Sequence, residues 1–405
     1  MADLAPDVIF NAGLAFAFIF IASWLAHLLN YSSIPFLILA GMLVGAHGPE
    51  FGPVTFAIIS DTESIDLLSR LGVLLMLFYL GLEFSTGKIV EAGKNLFKGG
   101  ITYVALNFAR GLGFGWLFFN SWAEAMVVAG ITGVSSSAII TRLLVDLKRV
   151  ANPETELILG IMVFEDIFIA MYLSVLSGML LAGDYSLSKV LLNILVIFIF
   201  ITTIIAFGRR FGVFLDKKLI FRNTETFVLA IFTLLLFIGI LAERLHIAEA
   251  IGALLLGLVL AETTHNQRII QMITPMRDLF GAVFFFSFGM AIDYRIFGEV
   301  ISISAAAILM TIFGNIITGL IASWLSGYKK KRAANVAFTI MARGEFSIIV
   351  ASFAASAGYS DRLPAFAALY VLLLALISPF LAKKAKFFYQ ITEKISGVFR
   401  KKAAA

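Results

Sequence analysis

The sequence predicts an all-α integral membrane protein, and three observations lead to that prediction. Hydrophobic residues make up 60% of the 405 residues and charged residues only 14%, whereas soluble domains average about 45–50% and about 25%. The mean hydropathy is +0.97. Apolar runs of roughly 18–25 residues recur along the whole chain, and each is long enough to cross about 30 Å of hydrocarbon as a helix. The chain has no cysteine, which excludes disulfides and thiolate metal sites.

The apolar runs define about thirteen predicted transmembrane spans. They cover residues 8–29, 33–46, 66–84, 99–119, 122–143, 155–182, 187–207, 225–242, 246–261, 278–291, 299–325, 333–357 and 363–382. The first run lacks a basic flank and a small-residue cleavage site, so we interpret it as a retained helix and not as a signal peptide.

Basic residues lie mostly in alternate loops between these spans. The run KKKR at 329–332 and the C-terminal tail are the clearest examples, while the opposite loops carry few lysines or arginines. Cytoplasmic loops are the basic ones, which predicts a multi-pass plasma-membrane protein with its N-terminus outside and its C-terminus in the cytoplasm. The net charge of +5 follows this topology, so it does not indicate nucleic-acid binding.

Two pairs of segments indicate an internal repeat. IPFLILAGMLVG (34–45) resembles IGALLLGLVLAE (251–262), and LFYLGLEFS (77–85) resembles FFSFGMAID (285–293). Each pair is seven spans apart, an odd number, so the second copy must enter the membrane from the other side. Inverted repeats of this kind are typical of secondary transporters, with binding sites near the bilayer midplane. The alternative is that spans rich in glycine and leucine resemble one another by composition alone.

The repeat pairs the fifth span with the twelfth, and both have a polar interruption near the middle. Serine side chains can bond to the nearby backbone and loosen a helix, and Gly344 interrupts the twelfth span between two charged residues. Broken helices at corresponding positions of two repeats indicate a transport site. The residues expected to line the broken fifth span are Thr132, Ser135, Ser136 and Ser137.

Five ionisable residues lie near the middle of predicted spans: Arg110, Glu165, Asp166, Arg343 and Glu345. Such a residue costs about 2.5–3.5 kcal/mol at the bilayer centre, which makes it a functional candidate. Adjacent residues on a helix point about 100° apart, so Glu165 and Asp166 cannot both face one point. Since burial disfavours the ionised form of a carboxyl group, such an acid can hold either a proton or a monovalent metal ion. We interpret Asp166 as that metal and proton site.

A structural ion-pair network is the alternative for these charges. Glu165 fits either interpretation, since it could bind the ion or be neutralised by Arg110 or Arg343. We interpret Arg343 and Glu345 as a structural or gating pair and Arg110 as a structural counter-charge. The sequence shows neither a nucleophile–base set nor a metal-ligand motif, so no enzyme is predicted.

The chain resembles the monovalent cation:proton antiporters of the branch that contains the Kef-type potassium efflux proteins and sodium–proton exchangers. The segments that carry the resemblance are GVLLMLFYLGLEFS (72–85), FEDIFIAMYLSVLSG (164–178), TPMRDLFGAVFFFSFGMAID (274–293) and MARGEFSIIVASF (341–353). The resemblance implies the sodium–proton antiporter fold, a homodimer in the lipid bilayer, and an elevator-like movement of a core domain.

The resemblance also implies a domain organisation. Residues 1–98 would hold the first three scaffold and dimerisation helices, and 183–298 a linker helix with further scaffold helices. Residues 99–182 and 299–382 would form the ion-binding core, and 383–405 a basic cytoplasmic tail.

Individual residues match the motifs of the family. Asp166 matches the essential acid that binds cation or proton, and Glu165 the position before it. Ser135–Ser137 match the unwound segment beside that acid, while Arg343 and Glu345 match the charged pair of the second broken helix.

The eleventh span departs from the pattern of electrogenic members, which carry a lysine where this chain offers only Asn315. We therefore expect electroneutral exchange of K⁺, in preference to Na⁺, for H⁺, with no covalent cofactor. Kef-type chains often continue into a cytosolic nucleotide-binding domain, whereas this chain ends ISGVFRKKAAA. Regulation would therefore need either a separate cytosolic regulatory subunit or a truncated part of the chain.

Two other classes of function share some of these features. A cation channel would use the same acids without proton coupling. A sodium-coupled carrier of organic anions would use the helix N-termini at the breaks, with Arg343 as a further anion ligand.

Overall fold

The computed structural model describes residues 6–29, 31–51, 54–59, 63–83, 93–119, 121–182, 223–244, 249–387 and 389–390. The predicted seventh span (187–207) and most of the predicted tail lie outside the described residues.

The described part of the chain is helical apart from one short ribbon. In the first half the helices are α1 (Pro6–Leu28), α2 (Ser33–Val44), α3 (Glu63–Glu83), α4 (Gly93–Phe119), α5 (Trp122–Gly133), α6 (Ser137–Asp146) and α7 (Pro153–Ala182). In the second half they are α8 (Thr224–Arg244), α9 (Glu249–Ala261), α10 (Asn266–Met290), α11 (Phe297–Leu325), α12 (Lys331–Thr339), α13 (Glu345–Ser356) and α14 (Arg362–Lys383), with a 3₁₀ turn at Tyr294–Ile296. The ribbon pairs β1 (Glu50–Phe51) with β2 (Val54–Thr55) in antiparallel register.

Among the described residues, six helical segments are long and apolar enough to cross a membrane. They are Val8–Leu28, Glu63–Glu83, Thr224–Ala242, Asn266–Met290, Tyr294–Leu325 and Arg362–Lys383. Helices α5, α6, α12 and α13 have only 12, 10, 9 and 12 residues, fewer than the roughly 20 that one complete crossing requires. The total of about thirteen transmembrane helices stays a prediction.

Helix α10 begins at Asn266, whereas the sequence predicts a span from residue 278, so that predicted boundary is wrong. Hydropathy alone hides the earlier turns because they carry polar residues. Their apolar side is nevertheless buried at Ile269 and Ile273, and the Arg268 guanidinium lies 4.3 Å from the centre of the Phe227 ring. Packing of these turns into the core formed with α3, α8 and α9 therefore extends the helix beyond its apolar part.

The chain divides into two compact units. The first unit draws on residues 1–91, 169–296 and 352–365, and the second on 92–168, 297–351 and 366–405. Helix packing inside a membrane depends on close van der Waals contact, since lipid is as apolar as the side chains. The core of the first unit joins α3, α8, α9 and α10 through Leu75, Phe78, Leu82, Phe227, Ile231, Leu235, Ala253, Leu260, Ile269 and Ile273. The core of the second unit joins α4, α6, α7, α11, α12 and α14 through Tyr103, Ile140, Leu144, Leu157, Ile161, Ala322, Val336 and Ala375.

A buried carboxylate joins the first turn of α7 to α12 within the second unit. Glu154 is 4% exposed. It accepts hydrogen bonds from the amide of Asn335 at 2.6 Å and from that of Asn152 at 3.2 Å. A carboxylate in the first turn of a helix also interacts favourably with the positive end of the helix dipole.

We expect Glu154→Ala to lower the free energy of unfolding by about 2–3 kcal/mol, because the buried Asn335 amide loses its charged acceptor. Thermal unfolding of the purified protein in detergent measures the effect. Glu156→Ala is the matched control, since Glu156 lies on the same helical turn but is exposed. Equal unfolding temperatures for the two variants would contradict this role of Glu154.

Candidate functional site

Two broken helices meet in the second unit. Helix α5 ends at Gly133 and α6 begins at Ser137, and α12 ends at Thr339 and α13 begins at Glu345. The backbone of the first break is extended. The two breaks are joined directly, because the backbone N–H of Ser136 donates to the carbonyl of Ala342 at 2.9 Å.

Glycine at position 344 permits this close approach. A Cβ atom at Gly344 would lie 2.5 Å from Ser136 Oγ and 2.6 Å from Ser136 Cβ. Such distances are far below van der Waals contact, so any side chain at 344 would force the two segments apart. The glycine that the sequence identifies as a helix interruption therefore also sets the distance between the breaks.

Arg343 donates hydrogen bonds to oxygen atoms at both helix breaks. The residue is completely buried. Its Nε donates to the carbonyl of Thr132 at 3.0 Å, and its Nη1 donates to the carbonyl of Ala342 at 3.2 Å and to Ser135 Oγ at 3.3 Å. The last carbonyls of a helix lack intrahelical donors and carry partial negative charge. The guanidinium thus binds the C-terminal end of α5 and the backbone of the second break.

The N-terminal ends of α6 and α13 share a second set of contacts. Ser136 Oγ accepts from the backbone N–H of Ile139 at 3.4 Å, which caps α6, and lies 3.1 Å from Glu345 Oε2, to which it donates. Glu345 lies in the first turn of α13, where a carboxylate opposes the positive helix end.

Asn315 on α11 connects the second break to both arginines. Its Nδ2 donates to the carbonyl of Ile340 at 2.6 Å, and its Oδ1 accepts from Arg110 Nη2 at 2.7 Å and, more weakly, from Arg343 Nη2 at 3.5 Å. The hydroxyl of Tyr103 also donates to the Ile340 carbonyl, at 2.8 Å. One neutral amide therefore lies between two guanidinium groups.

The two adjacent acids lie on α7 and have different surroundings. Glu165 is 1% exposed, and its Oε1 accepts from the backbone N–H of Ser135 at 3.2 Å and from Ser135 Oγ at 3.0 Å. Its Oε2 has no hydrogen-bond partner among the described residues. Asp166 is half-buried and follows on the next helical position. Glu165 therefore binds the first break, while Asp166 points about 100° away from it.

The structure brings together most of the residues that the sequence singles out. Thr132, Ser135, Ser136, Glu165, Arg343, Glu345, Arg110 and Asn315 form one connected set of contacts. Ser137 is the first residue of α6, and Asp166 follows Glu165 on α7, so its role as the ion site stays a prediction. The predicted pairing of Arg343 with Glu345 stays a prediction, since the contacts described above join Arg343 to carbonyl, hydroxyl and amide oxygens and Glu345 to Ser136.

Sequence reasoning missed Tyr103 and Ser347. Tyr103 contacts the second break, as described above, and Ser347 Oγ donates to the carbonyl of Ile131 on α5 at 2.7 Å. The sequence did offer one indication of Tyr103, its position in an apolar span. A tyrosine hydroxyl that is buried usually forms a hydrogen bond. Ser347 had no such signal, because a hydroxyl in a transmembrane helix can also bond to its own backbone.

Paired broken helices with buried acids beside them are the architecture of a secondary transporter. The comparisons with known proteins agree. The family model described as the transmembrane sodium/hydrogen exchanger matches residues 14–383. The chain belongs to this family of monovalent cation/proton antiporters, which are transporters and not enzymes.

Relatives and solved structures give the same result. The chain is 46% identical over 388 residues to the K⁺/H⁺ antiporter subunit KhtU of Bacillus subtilis, covering 96% of each chain. It is 29% identical over 374 residues to the ammonium/H⁺ antiporter subunit AmhT of Alkalihalophilus pseudofirmus, covering 91% of each. The sodium proton antiporter MjNhaP1 of Methanocaldococcus jannaschii has the same fold, with a TM-score of 0.65 over 96% of this chain and 99% of that one, at 16% identity.

Proposed function

We propose that this protein exchanges K⁺ for H⁺ across the plasma membrane, and that the two ions compete for the Asp166 carboxylate. The contact of Glu165 with Ser135 carries the proposal, because it fixes the acid pair directly against the crossing of the broken helices. We assign the binding and release of ions to the half-buried Asp166, which follows Glu165 on the same helix. KhtU, the relative at 46% identity, has K⁺/H⁺ exchange in its name.

The small number of carboxylates at the proposed site suits an ion that is bound and then released. Among the described residues, no group of three or more histidine, aspartate or glutamate side chains is arranged to hold a metal ion. A permanent metal site would need several such ligands, whereas an ion that must leave again requires weaker binding. One exchangeable carboxylate, supplemented by Glu165 Oε2 and backbone carbonyls, meets that requirement.

We propose that the exchange is electroneutral. A single carboxylate that carries either H⁺ or one monovalent cation is neutral in both states, which avoids moving a bare charge through the membrane. Asn315 supports this stoichiometry, since the side chain between the two arginines is a neutral amide that does not titrate.

For the transport cycle, we propose elevator-type alternating access in a homodimer. The second unit would be the moving body, because it contains both helix breaks and the acids. The first unit would form the dimer, and α1 offers a surface for it with the exposed residues Ile9, Phe10, Phe20 and Trp24. The N-terminus would lie outside and the C-terminus in the cytoplasm, where a regulatory subunit would bind. KhtU and AmhT are both named as subunits, which supports a partner chain.

Purified protein in liposomes tests the exchange. An imposed pH gradient should dissipate on addition of K⁺, more slowly with Na⁺, and without generating a membrane potential. Ammonium belongs in the series because it is the ion in the name of AmhT. A cation current at symmetric pH, with no proton movement, would instead indicate a channel, and a gradient unaffected by every monovalent cation would overturn the proposal.

A further inference from the structure

A buried asparagine on α4 lies in the middle of the helix face that contacts the broken helices. Asn107 is completely buried. One turn before it, the Tyr103 hydroxyl donates to the carbonyl of Ile340 at the second break. One turn after it, a Cβ atom at Gly111 would overlap the hydroxyl of Thr132 at the end of α5. Residues four apart share one face of a helix, so Asn107 lies between a contact with the second break and a contact with the end of α5.

The amide of Asn107 has no hydrogen-bond partner among the described residues. The Tyr103 hydroxyl lies nearby, but its one proton is already donated to the Ile340 carbonyl. Tyr103 could at most accept from Asn107 Nδ2, and it has no donor for Oδ1. Arg110, which follows on the same face of α4, extends toward α11, where it donates to Asn315. The amide oxygen of Asn107 is therefore a buried acceptor without a donor in the described part of the chain.

A carboxylate oxygen in the same region is in the same condition. Glu165 Oε2 forms no hydrogen bond with a described residue, whereas Oε1 is bound at the first break. The side chain of Tyr103 lies near Glu165 as well as near Asn107. Helix α4 also contacts α7 here, with the ring centres of Phe108 and Phe168 5.2 Å apart. Because carboxylate and amide oxygens are acceptors, what both atoms require is a donor or a cation.

We propose that Asn107 is a further ligand of the transported monovalent cation, and that its amide oxygen binds the ion together with Glu165 Oε2. Oxygen atoms are the ligands that hard cations prefer, and a bound ion gives two buried polar atoms the partner that they lack. The field strength of the ligands contributes to selectivity between K⁺ and Na⁺. A neutral amide has a weaker field than a carboxylate, so Asn107 favours K⁺, the larger ion. This inference rests on the proposed cation exchange.

The K⁺ dependence of thermal unfolding tests this ligand. The purified protein in detergent is unfolded over a range of K⁺ concentrations, with choline keeping the ionic strength constant. An ion that binds only the folded protein raises its unfolding temperature. We expect Asn107→Leu to raise the K⁺ concentration needed for a given shift about three- to tenfold, because losing one neutral ligand costs about as much as losing one hydrogen bond. KM for K⁺ in liposomes should rise by the same factor. Without K⁺, the unfolding temperature of this variant should not fall, since leucine replaces an amide that has no partner among the described residues.

Asn107→Asp keeps the test valid if the leucine variant does not fold. A carboxylate has the stronger field that the smaller Na⁺ prefers, so the ratio of KM for Na⁺ to KM for K⁺ should fall. Ser304→Ala is the matched control, because Ser304 Oγ on α11 is also completely buried without a partner in the described part of the chain. This control should leave both the K⁺ dependence of unfolding and KM unchanged.

Two results would overturn the assignment of Asn107. One is an unchanged dependence on K⁺ and Na⁺ in both variants. The other is a lower unfolding temperature of Asn107→Leu with an unchanged KM for K⁺, which would show that the amide has only a structural role. Failure of the exchange proposal is recognised separately, since the wild-type protein in liposomes would then show no cation-dependent proton movement at all.

Discussion

Replacing Asp166 with asparagine should abolish cation-dependent proton exchange. Asparagine keeps the size of the side chain but can neither bind a proton nor neutralise a monovalent cation, so neither half of the proposed cycle remains. In liposomes, the rate at which K⁺ dissipates a pH gradient should fall to that of vesicles without protein. The unfolding temperature should change little, because Asp166 is only half-buried.

Glu165→Gln is the matched control for this variant. The amide oxygen of glutamine can still accept from the backbone and hydroxyl of Ser135, so the contact between α7 and the first break is kept. We expect this variant to retain exchange within about tenfold of wild type, since one weakened hydrogen bond to a charged group is worth about 1.5 kcal/mol. If Asp166→Asn exchanged ions at the wild-type rate while Glu165→Gln showed no exchange, the roles of the two acids would be reversed.

Replacing Arg343 with methionine should lower the free energy of unfolding by more than about 3 kcal/mol and abolish exchange. Each hydrogen bond that involves a charged group contributes about 1.5–3 kcal/mol. Methionine removes the Arg343 donor to the Thr132 carbonyl and one of the two donors to the Ala342 carbonyl, which keeps the backbone N–H of Ser136. Thermal unfolding in detergent and transport in liposomes together measure the loss.

Arg343→Lys distinguishes charge from geometry in this role. Lysine restores a positive charge but not the planar group that reaches both breaks at once. We expect it to recover part of the stability and little of the transport. A wild-type unfolding temperature for the methionine variant would show that the end of α5 and the second break do not depend on this guanidinium.

The helical architecture could largely be predicted from the sequence, because each predicted span reflects a local property of the chain. Apolar length predicts a helix in a bilayer without any knowledge of its neighbours. The breaks were also locally encoded, by consecutive serines in one span and by Gly344 between two charges in the other. The start of α10 was missed because its first turns are stabilised by packing into the core formed with α3, α8 and α9, which hydropathy does not measure.

The candidate site was predicted as a set of residues but not as a set of contacts. Charge within an apolar span identified Glu165, Asp166 and Arg343, since the cost of burial is itself the signal. The sequence could not predict that Glu165 contacts Ser135 or that Arg343 contacts the broken helices, because those contacts join segments that are far apart in sequence. The sequence indicated Asn315 only because electrogenic members carry a lysine at that position. Its location between two arginines is seen only in the structure.

The packing of Arg110 against Gly314 limits how the ion stoichiometry of this protein could change. A Cβ atom at Gly314 would overlap the Arg110 guanidinium, so the glycine and the neighbouring Asn315 work as a pair that accommodates this side chain. A lysine introduced at 315 alone would become a third cation beside Arg110 and Arg343. If the exchange is electroneutral as proposed, we expect that converting it into one that moves net charge requires two coordinated substitutions, with the arginine on α4 removed as the lysine on α11 is added.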